Sequence, residues 1–598
     1  MNSTRTWLPW GALAFLVAAI LIVIGFAIAR PSWFDGDAAP GEREYAKSLL
    51  DVGEEDGVRL SDDNTTSRSF SLPVPVDSRI ENPVLRLRGQ TQVAESSTVF
   101  LRVLVDGQAL YVDELRRGDH KLSADIDLPD SAVEKGVVNV QVKTDGSLDQ
   151  RRCNITEDLG ALVFLDPERT QVRAGLDERV HTVRDVVAGL DHEVRLVLSD
   201  SAEGEEWFAT AAELAAFLTQ QGHDVTYSSE PGDGDSQILV GTADGLDGVD
   251  WESDDEGSVR VARRDGQPVL AVVEPAADVV PTFVTTSPVT TADSESSTPE
   301  REEVEQASGT SINLERLGAD TSVQQISDRR TWQIDYALPD LPGGTVPTAL
   351  RLQMMIPATT VDARWIVEVR LNDDLVATQR LGGIGRQNVA VPLPAGRELV
   401  RNDLAVTLIR DRDLGGCNVR RTSYDVQLLP GSTLTVGGDG AGFTAVPADF
   451  SGGFDVVLDS SRLDDPTRTL AALVPTLAEF SRWREAARFA WDGAPAQRPF
   501  LLLGEPERAL APVVTVADGR IEAAGLDLSA FKDGYVVQPV TSGATPGLAL
   551  TPVGEPDDQV PPYGRERARV VATGGGGFVV TPQGRVETVP AARVGIED

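Results

Sequence analysis

Nucleophile and metal chemistry would rest on very few side chains here. The chain has four histidines, His120, His181, His192 and His223, all in its first half. None adjoins a Gly-x-Ser-x-Gly elbow or forms a His-Glu-x-x-His pair, so surface or capping roles are expected of them. Its two cysteines, Cys153 and Cys417, lack Cys-x-x-Cys or Cys/His spacing, which argues against structural zinc. A carboxylate pair suited to glycoside hydrolysis stays open among 93 acidic residues, although no pair stands out. Loops that could cradle phosphate read SDSAEGEE and DSSRLDDP, and their Asp200, Glu203, Glu205, Glu206, Asp459, Asp464 and Asp465 would repel an anion. Gly574 to Gly577 lack the Lys-Ser/Thr of a P-loop and read as a turn. No cofactor is expected. Aromatic platforms are the third chemistry, since rings on a β-surface stack on sugars. Trp332, Trp365 and Tyr111 lie on expected strands, where the competing reading is core. Arg364 and Glu368 around Trp365 point to a solvent-facing, glycan-contacting ring there.

The elements that would position these residues are written twice. Setting Cys153 on Cys417 aligns Asn154 with Asn418, Leu165 with Leu429 and Val172 with Val436 without a gap. Upstream, LRVLVDGQALYVDELR (Leu101 to Arg116) lies over VEVRLNDDLVATQRL (Val367 to Leu381), and IDLP over VPLP. Such order marks a duplicated β-rich unit. With one cysteine per copy, two buried free thiols are expected rather than a disulfide.

Alternating runs separated by Asp106-Gly107 and Asp145-Gly146 predict a jelly-roll-like antiparallel β-sandwich over 58–173. Residues 174–278 change to strand, helix, strand: HEVRLVLSD, an amphipathic helix through Trp207, Ala211, Leu214 and Leu218, then SQILVGT. That pattern predicts a flavodoxin-like α/β unit with a parallel sheet. A Ser/Thr/Glu-rich linker is expected over 279–309, a second sandwich over 310–438, and a second flavodoxin-like unit over 439–598. In the last, Asp465-Pro466 opens a helix that Pro475 is expected to kink or split.

Leu8 to Ala29 is 22 residues without a charge, long enough to span a bilayer. An uncleaved anchor over 1–30 with its N-terminus inside is expected rather than a signal cut at Ala27-Ile28-Ala29, followed by a tether over 31–57. Either reading exports the rest. The formal charge, 54 − 93 = −39, repels phosphate backbones, so nucleic acid is not an expected partner; a neutral polymer is compatible.

The order sandwich, α/β, sandwich, α/β on an exported chain, with CNITEDLGALVFLDPERT and CNVRRTSYDVQLLPGSTL closing the sandwiches, resembles the periplasmic B subunit of bacterial cellulose synthase. The resemblance spans roughly residues 58 to 598 and implies a non-catalytic subunit with carbohydrate-binding-like sandwiches. It implies as partners a membrane glycosyltransferase of the cellulose synthase catalytic type, activated by cyclic di-GMP on its own domain, and the glucan polymer. The family's C-terminal membrane helix has no counterpart in GRVETVPAARVGIED. Either the N-terminal segment takes over docking or the chain serves another exopolysaccharide synthase. A secreted hydrolase using paired carboxylates and a cell-envelope adhesin or scaffold are the readings from other classes.

Overall fold

The computed structural model describes residues 44–554, except 62–65, 96, 149–159, 233–235, 255, 276, 285–292, 299–308, 327–328, 358–362, 383, 413–423, 483–486, 494–496, 513, 518–519, 524–525 and 528–533. Beyond 554 it describes only 570–573, 578–580 and 586–588. Cys153, Asn154, Cys417, Asn418 and the 8–29 segment therefore lie outside the described residues. Among those described, no helix is long and apolar enough to cross a membrane.

Ten strands build the first sandwich: β1 (Glu44–Ser48), β2 (Val58–Ser61), β3 (Ser67–Pro73), β4 (Ile80–Val93), β5 (Ser97–Val105), β6 (Gln108–Leu115), β7 (Gly118–Asp127), β8 (Val137–Leu148), β9 (Ala161–Leu165) and β10 (Gln171–Leu176). One sheet runs β1-β10-β4-β9-β2 with β7 also on β4, and the facing sheet runs β3-β8-β5-β6. Strict alternation drives this, as in β5, where Val99, Leu101, Val103 and Val105 point inward between partly exposed residues. Because β1 is a full strand of the sandwich, the expected tether ends before Glu44.

A first α/β unit follows, with α1 (Val183–Ala188), β11 (Glu193–Leu198), α2 (Glu205–Gln220), β12 (Asp224–Ser228), β13 (Ser236–Val240), β14 (Asp250–Trp251), β15 (Val259–Arg264), β16 (Gln267–Val272) and a short β17 (Ser296–Ser297). Strands β12, β11, β13 and β16 pair in parallel, but β15 is antiparallel to β16. The flavodoxin-like expectation is thus corrected to a mixed sheet. Asp265 (φ 50°) and Gly266 (φ 82°) join β15 to β16 in a two-residue hairpin, leaving no crossover in which a helix could lie. The expected 279–309 linker is corrected as well, because Val279, Val280 and Phe283 are buried in the core and Ser296–Ser297 adds an edge to β15.

The second sandwich repeats the first strand for strand: β18 (Ser311–Asn313), β19 (Gln324–Ile326), β20 (Arg329–Ala337), β21 (Val346–Ile356), β22 (Ala363–Leu371), β23 (Asp374–Leu381), β24 (Gly385–Pro392), β25 (Arg401–Arg412), β26 (Tyr424–Leu428) and β27 (Thr433–Gly438). Its sheets are β18-β27-β21-β26-β19 with β24 on β21, and β20-β25-β22-β23. Irregularities repeat too. The β5–β6 ladder slips between Val103 and Leu104, and β22–β23 slips between Val369 and Arg370. Thr170 Oγ1 and Ser432 Oγ, both buried, each accept from one main-chain N–H and donate to the same residue's carbonyl, at Arg88 and Gln353 respectively. That corner corrects the gapless alignment. Residues 166–170 bridge β9 to β10, whereas 429–432 bridge β26 to β27, so Leu165 matches Leu428 and Val172 matches Leu434.

The second α/β unit comprises α3 (Val446–Phe450), β28 (Phe454–Leu458), α4 (Pro466–Phe480), β29 (Ala487–Trp491), β30 (Phe500–Leu503), a small sheet of β31 (Thr515–Ala517), β32 (Arg520–Ala523) and β33 (Leu526–Asp527), then β34 (Gly534–Ser542), β35 (Thr545–Val553), β36 (Val570–Thr573), β37 (Phe578–Val580) and β38 (Val586–Thr588). Strands β29, β28, β30 and β35 are parallel and β34 is antiparallel, as in the first unit. Asp465 caps α4 by accepting from Arg468 N–H. Helix α4 is one continuous helix through Pro475, so the proline does not split it. Pro475 and Ala471, whose carbonyl the ring deprives of its donor, are both only half-buried, so water reaches that side.

Both α/β units share one hydrophobic core. Helices α2 and α4 pack together, with Leu214, Phe217, Leu473 and Leu477 in the same cluster. Gln220 Nε2 donates to the carbonyls of Ala478 (3.3 Å) and Ser481 (2.9 Å), and Phe208 stands edge-on to Trp491 at 5.5 Å. Burying both helices' apolar faces against each other fuses the two repeats into one spine.

Candidate functional site

The aromatic candidates fall on the wrong side of their strands. Trp365 is 2% exposed and Trp332 3%, both in the core of the second sandwich. On β22, Trp365 points inward with Val367, Val369 and Leu371; Arg364 and Glu368 are an odd number of residues away and so occupy the opposite face. Inside, Trp365 meets Tyr424 edge-on at 6.1 Å and stands opposite the buried Arg410 in the ladder. Tyr111 is half-buried, because the β-bulge sets it opposite inward-facing Val103. Its hydroxyl donates to Asp113 at 3.2 Å, and burial, then Asp113, push its ionisation up. Among the described residues neither sandwich presents a fully exposed aromatic ring, while Phe100, Tyr111, Phe164 and Tyr424 are partly exposed.

What they do present is a polar seam. The outermost strands of the two four-stranded sheets, β3 and β20, lie beside each other. Arg68 Nη1 of β3 donates to Asp335 Oδ2 of β20 at 2.9 Å, and its Nη2 lies 3.7 Å from Glu54 Oε1. Between them is a cavity of about 160 Å³, lined by Ser67, Arg68 and Ser69 on one side and by Asp320, Arg330, Trp332 and Gln333 on the other. The floor is tied down: Arg330 donates to Gln324, Gln324 donates to Asp320 and to Ser322 Oγ (3.0 Å), and Ser322 N–H donates to Asp320 Oδ1 at 2.9 Å. Burial works to raise the Asp320 carboxyl, but hydrogen bonds from Ser322 and Ser67 outweigh it and hold the group below its ordinary value. Beside the seam, Asp403 stands opposite Asp335 in the β20–β25 ladder and accepts from Gln333 at 2.9 Å. Burial first, and the Asp335 charge second, push Asp403 up to about 6.

A second cavity, of about 250 Å³, separates the first sandwich from its α/β unit. Lys47, 2% exposed, donates there to the Leu190 carbonyl, beside Asp51, Glu54 and His223. Burial holds the Lys47 ammonium below its usual range, with Asp51 and Asp191 opposing. No sequence pattern marked either cavity, because each is assembled from residues far apart in the chain. Glu203, Glu205 and Glu206, in the loop after β11, are exposed.

No protein-family model and no curated protein matches the chain. Solved structures that overlap parts of it include a family 51 carbohydrate-binding module from Clostridium perfringens in complex with methyl-galactose, 15% identical, covering 21% of this chain and 100% of that one at a TM-score of 0.13. A tandem of family 22 carbohydrate-binding modules from Paenibacillus barcinonensis is 10% identical, covering 66% of this chain and 98% of that one at 0.13. Peptide N-glycanase F is 8% identical, covering 66% and 99% at 0.16. Overlap at those scores carries no argument about fold or ligand.

Proposed function

We propose that this chain is a non-catalytic, membrane-anchored, extracytoplasmic accessory subunit of a cellulose-like exopolysaccharide synthase. It holds and guides the nascent glucan and supports the membrane glycosyltransferase. The observation that carries this reading is the strand-for-strand doubling, in which two sandwiches are fixed relative to each other by α/β units sharing one core. A polymer guide needs contact surfaces at fixed spacing, since a rigid link makes the second contact intramolecular. An acidic surface that repels anionic polymers while accepting a neutral one is consistent with this. The seam offers mixed hydrogen-bonding groups on strand edges.

Detergent extraction of the tagged full-length protein tests the reading. Co-purification of a membrane glycosyltransferase, with glucan retained and no reducing ends released, is the expected result. Release of soluble sugars would replace it with a carboxylate-pair hydrolase. Extraction of the chain without any glycosyltransferase would favour an envelope adhesin.

A further inference from the structure

We propose that the contact between the first sandwich and its α/β unit is an acid-releasable latch, closed while His223 is neutral and opened when a proton sets it against the buried Lys47. The latch goes beyond the glycan-guiding role and does not depend on it. Strand β1 supplies one half. The Tyr45 hydroxyl lies 2.7 Å from the Pro73 carbonyl and 3.0 Å from the Ala188 carbonyl of α1, and Lys47 donates to the Leu190 carbonyl. In the turn after β1, Asp51 Oδ2 accepts from the Ser48 N–H and hydroxyl at 2.7 Å each, while Oδ1 accepts from the His192 N–H at 2.9 Å. Across the contact, His223 Nδ1 donates to the Asp191 carbonyl at 2.7 Å. That bond fixes the neutral tautomer and leaves Nε2 to take a proton in acid.

The contact has no slack to absorb a new charge. Gly53 and Gly222, both in the left-handed region, bring their turns so close that a Cβ on Gly222 would stand 2.4 Å from Gly53 Cα. Lys47 from β1 and His192 from the loop before β11 oppose a proton on His223; Asp51 and Glu54 from the turn after β1, with Asp191 and Asp224, favour it. Burial and Lys47 prevail and lower His223 to about 4. Opening returns the ring to water, where it binds its proton at about 6.5, so the closed-to-open ratio falls about a hundredfold by pH 4. Each side keeps its own hydrophobic core, so release unfolds neither. Where the chain crosses between them, Asp185 accepts from the Val76 and Ser78 N–H groups at 2.8 and 2.7 Å and serves as the hinge. Among the described residues the second sandwich lacks the device. Ile312 stands where Lys47 does, and a Cβ on Gly318, which ends the matching turn, would meet nothing within 4 Å.

Spin labels at Ser131→Cys and Thr226→Cys, both exposed, test this in full-length protein in detergent that also carries Cys153→Ser and Cys417→Ser. One narrow distance is expected at neutral pH, and a longer, broader one by pH 4, reversibly and with far-UV circular dichroism kept. His223→Gln should hold the narrow distance in acid. Lys47→Met should move the opening to lower pH, because it removes the charge that opposes the ring. An unchanged distance at pH 4, an opening that His223→Gln does not delay, or loss of secondary structure in the same transition would each overturn the latch. If His223→Gln does not fold, Lys47→Met decides alone.

Discussion

Where the first sandwich buries Lys47 opposite Val172, the second buries Ile312 opposite Leu434. Where the first has Arg68 opposite Val142, the second has Trp332 opposite Val406. Topology, bulge and corner hydroxyl agree between the copies, so these exchanges are not consequences of fold. Lys47 reaches across to the α/β unit and Arg68 reaches across to the second sandwich, whereas Ile312 and Trp332 stay in their own core. A sandwich of this kind is set by alternation along its strands. The residue type at inward positions near the sheet margin then decides whether the copy packs upon itself or docks against a neighbour.

The sharpest way to break that comparison is at the aromatic of the second copy. Trp365→Ala should cost about 3–5 kcal/mol, the usual loss for a buried large side chain, measured by denaturant unfolding. Tyr111→Ala, at the half-buried edge of the first copy, should cost clearly less. Near-equal small losses would mean that Trp365 is not core.

Next in size is the corner hydroxyl. Thr170→Val and Ser432→Ala should each cost about 1–3 kcal/mol, because each leaves one main-chain N–H of a buried corner, that of Arg88 or Gln353, unpaired, while the two carbonyls keep their bonds from the Asp166 and Leu429 N–H groups. Unequal losses would show that the corner serves the two copies differently.

The smallest effects are those of pH, and their signs oppose. His223 is lowered from 6.5 to about 4, by burial and then by Lys47, so between those values the unfolded chain binds the proton that the folded chain refuses. Its contribution is present above about pH 6.5 and lost as pH falls towards 4. Asp403 is raised from 3.8 to about 6, so its contribution is full below 3.8 and lost as pH rises through 6. In thermal melts, His223→Gln should flatten the acid limb and Asp403→Asn the rise towards acid. A pH profile unchanged in either variant would remove that group from the balance.

Much of the fold is legible in the chain. Alternation in VFLRVLV and in RWIVEVRL marks the strands, and the turns at Asp106-Gly107 and Asn372-Asp373 mark equivalent hairpins, with positive φ at all four residues. Asp265-Gly266 carries the same signal and was the readable clue that β15 and β16 form a hairpin. The facing of Trp365 was readable as well, since strand neighbours at odd spacing belong to the other face. The seam was not. Ser69 and Gln333 lie in different repeats, and nothing local to either says that β3 and β20 meet.

The sequence by itself determined the duplicated order of elements, because strand and helix periodicities and turn chemistry are local properties of neighbouring residues. Only the tertiary structure decided that α2 and α4 fuse the repeats through one core, and that Arg68 meets Asp335 across two domains. Those contacts depend on burying apolar surface between distant segments, and the hydrophobic effect that drives such burial carries no address in the sequence.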